Sequence, residues 1–132
     1  MNFTYRNRIV ICRVYTPPKV KEGAWVLVDR LWPRGIKKET LAFDFWLKDI
    51  TPSTALRQWF HENIETRWSE FVDYYIEELN HKGDLIERIL EMAEHTPVTL
   101  FYAAKDSEHN HALILKAVLY SWPNPPDKTL LL

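Results

Sequence analysis

Short runs of apolar and β-branched residues at three places in the chain predict β-strands. Residues Arg8 to Tyr15 alternate and are rich in β-branched types, and Pro17 and Pro18 end this run. Trp25 to Asp29 is a nearly continuous apolar run, which is typical of a strand that is buried on both faces. A third run of this kind, Val98 to Tyr102, lies much later in the chain. These runs predict a small, buried sheet.

Helical spacing of apolar residues dominates the long stretch between the second and third runs. Ser53 follows a proline and precedes an apolar pattern, so we expect it to cap a helix from about Thr54 to Glu62. The clearest apolar stripe predicts a helix from about Thr66 to His81. Gly83 is expected to end that helix in the left-handed conformation.

Three further segments complete the pattern of predicted elements. Asp84 and Glu87 resemble a capping box at the start of another helix. A last amphipathic helix is predicted over His109 to Tyr120. Lys37 to Ile50 has only rough helical spacing, and Asp44 could cap a short helix there.

The order of elements is strand, strand, several helices, strand and helix, which indicates an α/β fold. We expect a small, mostly parallel, three- to four-stranded sheet covered by about five helices. Residues 1–121 are predicted to form a single α/β domain, followed by a Pro-rich tail over residues 122–132. The final TLLL segment could either pair as an edge strand or hang free.

Composition narrows the class of protein. A formal net charge of −1 argues against a dedicated nucleic-acid binder, which needs a basic surface to release counterions. No apolar run approaches the ~20 residues of a membrane span, and no signal peptide opens the chain, so we expect a cytoplasmic protein that does not engage a membrane. The sequence leaves the oligomeric state open.

Several familiar chemistries are excluded by the residues that are present. The three glycines all lie at predicted element ends, so neither GxGxxG nor a Walker loop is present, and we expect no cofactor. His109 and His111 are two residues apart on a predicted helix and diverge too far to share a metal, so no metal site is expected. No GxSxG elbow occurs either.

Both VLVDRLWPRG and LFYAAKDSEHN are apolar strands that end in charge. Ligands of open α/β sheets bind outside the carboxyl ends of the strands, so we expect the two ends to share one cleft. Arginine guanidinium groups and a lysine suit phosphate or carboxylate, which predicts a small anionic ligand. The candidate ligand-binding residues are Arg30, Trp32, Arg34, Lys105 and Asn110, and the candidate catalytic residues are Asp29, Asp106 and His109.

Each of these candidates has a structural alternative. Asp29 and Arg30 could form an ion pair, Asp106 or Ser107 could only cap the last helix, and His61 could be a histidine at the edge of the core. The Trp32-Pro33 bond is predicted to be cis, because an aromatic ring before proline can stack on it in that form.

The sequence leaves open whether this domain is an enzyme. The leading hypothesis is a domain that binds or processes a phosphate- or carboxylate-bearing small molecule, with nucleotides as the leading class. The alternative is a non-catalytic module that binds protein or single-stranded nucleic acid through exposed aromatic residues, among them Trp32, Trp46, Trp59 and Trp122. A third possibility is that the polar strand-ends are only ion pairs and caps.

A series of ordered motifs resembles the YeaO-like proteins, small bacterial proteins of the domain-of-unknown-function 488 group. The motifs are VLVDRLWPRG, IKKE, WLKDI, LR-x-WFH and L-x-YAAKD-x-x-HNHA, and the resemblance runs from about Cys12 to Leu119. It implies a cytoplasmic α/β domain and no particular reaction. Its signature positions here are Asp29, Arg30, Trp32, Pro33, Arg34, Lys105, Asp106, His109 and Asn110.

Overall fold

The computed structural model describes residues 4–132, which form one sheet and four α-helices. The strands are β1 (Ile9–Arg13), β2 (Ala24–Leu27), β3 (Phe45–Trp46) and β4 (Val98–Tyr102). The helices are α1 (Thr54–Glu62), α2 (Ile64–Asn80), α3 (Gly83–His95) and α4 (His111–Ser121). Short 3-10 helices cover Thr4–Arg8 and Lys48–Ile50.

The sheet is parallel throughout, with the strand order β1-β4-β2-β3. β4 lies in the centre, where Val98 pairs with Ile9 of β1 and with Ala24 of β2. All five residues of β4 are buried, as expected for a parallel strand that is covered on both faces. The predicted α/β class with a small parallel sheet is confirmed, with four α-helices in place of about five.

Two apolar clusters cover the two faces of the sheet. The larger cluster packs the α-helices against one face, and Tyr75, Leu79 and Ile114 are among its fully buried members. The smaller cluster contains Trp25 and Phe101 and is closed by half-buried aromatic residues of the segment between β2 and α1.

Part of that covering segment lies within Lys37 to Ile50, where the predicted short helix is wrong. The chain forms β3 and a 3-10 helix there, and Asp44 does not cap a helix. The Asp44 carboxylate instead accepts the backbone N–H of Trp25 at 2.8 Å and pairs with Lys21 at 2.8 Å. The aromatic residues of the segment are spaced to cover the sheet and not to form a helical stripe.

Of three predictions about the ends of the helices, one is confirmed and two are wrong. α1 has the predicted bounds, and the Ser53 side chain accepts the backbone N–H of Leu56. Gly83 does not end α2 in the left-handed conformation, because it is the first residue of α3 and lies against the ring of Trp122. The side-chain capping box expected from Asp84 and Glu87 is also wrong, since the cap residue is Lys82 and no side chain caps this end.

The predicted cis peptide bond before Pro33 is not found. The cis bond in the described part of the chain precedes Pro123, so the expected cis bond at Trp32-Pro33 is wrong. The Trp32 indole donates to the carbonyl of Ile36 at 2.6 Å and packs edge-on against Phe43 and Trp46. Tertiary contacts therefore fix this ring without the proline stacking that motivated the prediction.

The C-terminal residues pack against α2. The Trp68 indole donates to the carbonyl of Leu131 at 2.5 Å, and Lys128 pairs with Asp73. The Leu131 side chain is half-buried against the main core, and residues 129–131 form a turn. The TLLL segment is thus neither an edge strand nor a free end.

Candidate functional site

The carboxyl ends of β2 and β4 open into one cavity of about 610 Å³, called the strand-end cleft below. These two strands are neighbours in the sheet, so the residues that follow them meet at the same edge. The lining includes Asp29, Arg30, Trp32 and Arg34 after β2, and Lys105, Asp106, His109 and Asn110 after β4. The prediction that both polar strand-ends share one cleft is confirmed.

Asp29 joins the two strand-ends and does not pair with Arg30. One of its carboxylate oxygens accepts the backbone N–H of Ala103 at 2.9 Å, and the other lies 3.3 Å from Nε2 of His111. The same His111 nitrogen lies 2.5 Å from the carbonyl oxygen of Val28, to which it donates. Asp29 and His111 therefore link β2, β4 and the first residue of α4.

Asp106 holds the loop that leads into α4. One carboxylate oxygen accepts the backbone N–H groups of Glu108 and His109, and the other lies 3.0 Å from Nδ1 of His109. The hydrogen bond from the Glu108 N–H, followed by those from His109, lowers the pKa of Asp106. This contact turns Nδ1 of His109 to the carboxylate, while the edge of the ring packs against Trp68.

Asn110 is buried and caps α4. Its side-chain oxygen accepts the backbone N–H of Leu113 at 3.1 Å, and its side-chain nitrogen donates to the carbonyl of Asp106 at 2.9 Å. Both polar groups of this predicted ligand-binding residue are therefore engaged with the backbone. Asn110 shapes the cleft by fixing the start of the helix.

The basic side chains of the two strand-ends have no acidic partner within the described residues. Arg30 donates one long hydrogen bond of 3.3 Å to the carbonyl of Pro52, and its buried Nε has no partner. The Arg34 and Lys105 side chains are exposed and form no ion pair with any carboxylate of residues 4–132. The cations predicted to bind an anion are thus free to do so.

Two further basic residues of the cleft lie on α1: Arg57, which sequence reasoning missed, and His61, for which it left open a place at the edge of the core. Arg57 is half-buried and His61 is exposed, and both line the cleft one helical turn apart. Although its side chain is exposed overall, His61 is partly desolvated in the cleft wall, which lowers its pKa, and the charges of Arg57 and His111 lower it further. The i, i+4 spacing on a well-capped helix was the available signal, but it does not say which way the helix faces.

The remaining lining is apolar or already engaged. Phe60, Ile64 and Phe71 contribute an apolar wall, and Leu31 is 64% exposed at the cleft. The hydroxyl groups that line the cleft belong to Tyr15 and Thr51, and each donates to a backbone carbonyl. Among the described lining residues there is no cysteine or serine. The cleft thus offers unpaired cations beside an apolar surface.

The structure gives neither a metal cluster nor a membrane helix in the described part of the chain. No group of three or more His, Cys, Asp or Glu side chains within residues 4–132 is arranged to hold a metal ion. In the same range, no helix combines the length and the apolar character needed to cross a membrane.

Comparisons with known proteins give a family match over most of the chain. Residues 8–125 match the model of DUF488-N3i, described as the inactive DUF488-N3 subclade. The uncharacterized protein YeaO of Escherichia coli K12 is 47% identical over 103 residues, which cover 78% of this chain and 89% of that protein. The uncharacterized protein Rv3073c of Mycobacterium tuberculosis H37Rv is 37% identical over 113 residues, or 86% of this chain and 94% of that protein. No solved structure matches significantly.

Proposed function

The chain belongs to the DUF488-N3i family, and we propose that it binds a small phosphate- or carboxylate-bearing ligand in the strand-end cleft. Nucleotides and nucleotide-like compounds are the leading class, because such ligands combine an anion with a less polar body. The observation that carries this function is that Arg30, Arg34 and Lys105 line the cleft without an acidic partner, whereas Asp29 and Asp106 are already engaged.

The charge of the cleft differs from that of the whole chain. Its lining contains the cations Arg30, Arg34, Arg57 and Lys105 against two carboxylates, although the chain as a whole has a formal net charge of −1. The half-buried cations Arg30 and Arg57 lose part of their hydration, and a bound anion offsets that cost. The N-terminal end of α4 lies at the same cleft and adds the positive end of a helix dipole.

Binding without covalent turnover fits the residues better than catalysis does. The family is described as an inactive subclade, and the described lining residues include no cysteine or serine nucleophile. Asp29, Asp106 and Asn110 act in this function as positioning residues that hold the strand-ends and the loop before α4. His109 lines the cleft and is oriented by Asp106. A cytoplasmic location for this binding is part of the proposal and rests on the resemblance to the YeaO-like proteins.

No observation favours the alternative of an aromatic interaction surface. Trp25 and Trp68 are buried and the other four tryptophans are half-buried. Trp32 and Trp46 pack in the smaller apolar cluster, Trp59 packs under Arg67, and Trp122 packs against the main core. Stacking platforms need open ring faces, and these rings are engaged within the domain.

A thermal-shift panel tests the proposed function on wild-type protein and Arg34→Ala. The panel contains nucleotides, sugar phosphates and small carboxylates, and Arg88→Ala is the control because Arg88 is an exposed arginine on α3 outside the cleft. We expect both variants to melt near wild type without ligand, and Arg34→Ala alone to lose the ligand-induced shift. A large drop in the melting temperature of Arg34→Ala, with no compound stabilising wild type over it, would show that Arg34 is structural.

A further inference from the structure

The basic residues of the strand-end cleft fall into two groups that come from different elements. Arg30, Arg34 and Lys105 lie in the loops after β2 and β4, whereas Arg57 and His61 lie on α1. Arg57 and His61 lie one helical turn apart on α1 and both line the cleft, so they form one group, and the basic residues of the two loops form the other.

The acidic residues around α1 are engaged elsewhere. Glu62 pairs with Arg67 at 3.0 Å and is not among the residues that line the cleft. Glu78 of α2 accepts the backbone N–H and the hydroxyl of Ser53 at the start of α1. Arg57 forms no ion pair with a described carboxylate, although it is half-buried in the wall of the cleft.

The size and lining of the cavity indicate what kind of molecule would fit between the two groups of basic residues. A cavity of about 610 Å³ is of the size that holds drug-sized ligands, and one oxyanion would leave most of it empty. Phe60, Ile64 and Phe71 line the same cavity and give it an apolar surface. A molecule that fills this space therefore presents a less polar body to the wall as well as charge to the cations.

We propose that Arg57 and His61 form a second anion subsite, so that the ligand carries two separate anionic groups on one less polar body. This inference rests on the proposed function and specifies its ligand class. A sugar or a nucleoside with two phosphate groups at different positions has this chemistry. One group contacts Arg34 and Lys105, and the other contacts Arg57 and His61, where Arg57 adds affinity through charge-assisted hydrogen bonds and His61 supplies a further ring N–H donor.

Isothermal titration calorimetry with matched probes tests the second subsite. The probes are fructose 6-phosphate and fructose 1,6-bisphosphate, and adenosine 5′-monophosphate and adenosine 3′,5′-bisphosphate. We expect at least one bisphosphate to bind wild type about tenfold tighter than its monophosphate, or about 1.4 kcal/mol. Arg57→Gln should remove this advantage and leave monophosphate affinity within about twofold. Arg57→Lys should retain part of the advantage, and Arg88→Gln should behave as wild type.

The outcomes separate this inference from the proposed function. If monophosphates bind and Arg57→Gln weakens both members of a pair equally, or neither, the second subsite does not exist and the single anion site stands. If none of the four probes binds wild type, the second subsite is overturned, and the thermal-shift panel, which also contains carboxylates, decides the proposed function. A melting curve for each variant confirms that the compared proteins are folded.

Discussion

Two sets of arginines in this protein differ in how many backbone carbonyls their terminal guanidinium nitrogens reach, although Nε of both Arg8 and Arg30 is buried without a hydrogen bond. The N-terminal arginines, Arg6 and Arg8, donate to carbonyls at the ends of helices. Arg6 reaches the carbonyls of Tyr120 and Trp122 at 3.1 and 2.7 Å, and Arg8 reaches that of Ala93. The last carbonyls of a helix have no partner within it, and a cation there also complements the helix dipole. These arginines hold the start of the chain to the ends of α4 and α3.

The cleft arginines, Arg30, Arg34 and Arg57, leave most of their donors unused. Arg30 makes one long hydrogen bond, and the side chains of Arg34 and Arg57 make none to the described residues. The same residue type therefore serves the fold in one region and remains available to a ligand in the other. The difference lies in which acceptors surround each guanidinium group and not in the amount of charge.

The largest change in the free energy of unfolding should come from removing one of the N-terminal arginines, which are called the fold-serving arginines below. Arg6 is 7% exposed, so Arg6→Ala leaves two backbone carbonyls without their charged donor. We expect the free energy of unfolding to fall by about 2–3 kcal/mol, measured by urea denaturation. Arg34→Ala is the matched control and should change it by less than about 0.5 kcal/mol. If Arg6→Ala and Arg34→Ala lose the same free energy of unfolding, the N-terminal and cleft arginines do not differ in their contribution to the fold.

Replacing Arg30 of the cleft should change the free energy of unfolding less, and in the opposite direction. The Nε of Arg30 is buried without a partner, which lowers stability. Arg30→Met keeps much of the side-chain volume and removes the unsatisfied donor, so we expect the free energy of unfolding to rise by about 1 kcal/mol. Phosphate affinity, measured by calorimetry, should fall in the same variant. A variant that is less stable and binds phosphate as wild type does would place Arg30 with the fold-serving arginines.

The smallest effect concerns the pH response of His61. Burial first, and then Arg57 and His111, lower its pKa below the ordinary 6.5. Because the unfolded chain then binds the proton more readily, this group reduces stability as the pH falls from about 6.5 toward the folded-state pKa. Arg57→Gln should raise the pKa of His61 only part of the way toward its ordinary value, since burial remains, and so weaken this loss of stability. NMR titration of His61 in wild type and in Arg57→Gln measures this change in pKa. An unchanged or lower pKa in the variant would contradict the electrostatic contact between Arg57 and His61.

Local sequence signals were sufficient for part of the fold. Val98–Tyr102 and Thr54–Glu62 have the predicted bounds, because a fully buried strand and a serine-capped amphipathic helix are encoded by adjacent residues. Gly83 and the segment before α1 were predicted wrongly, since packing against Trp122 and across the outer face of the sheet decides their conformation. Such contacts join residues that are distant in sequence.

The same division applies to the candidate site. Charge that directly follows a buried strand is visible in the sequence, so Arg30, Arg34 and Lys105 were found. Arg57 was missed because the side of α1 that faces the cleft depends on how the helix docks against the sheet. The pairing of Asp29 with His111 in place of Arg30 is set in the same way, by the position of α4.

NMR of the arginine Nε–H groups during a phosphate titration tests the central claim most directly, because it observes both sets in one sample. The signals of Arg30, Arg34 and Arg57 report on the cleft, and those of Arg6 and Arg8 serve as internal references. We predict that the cleft signals shift in a saturable manner with phosphate, while the N-terminal signals stay in place. If all five signals shift together, or if the cleft signals do not respond, the cleft arginines are not a ligand site.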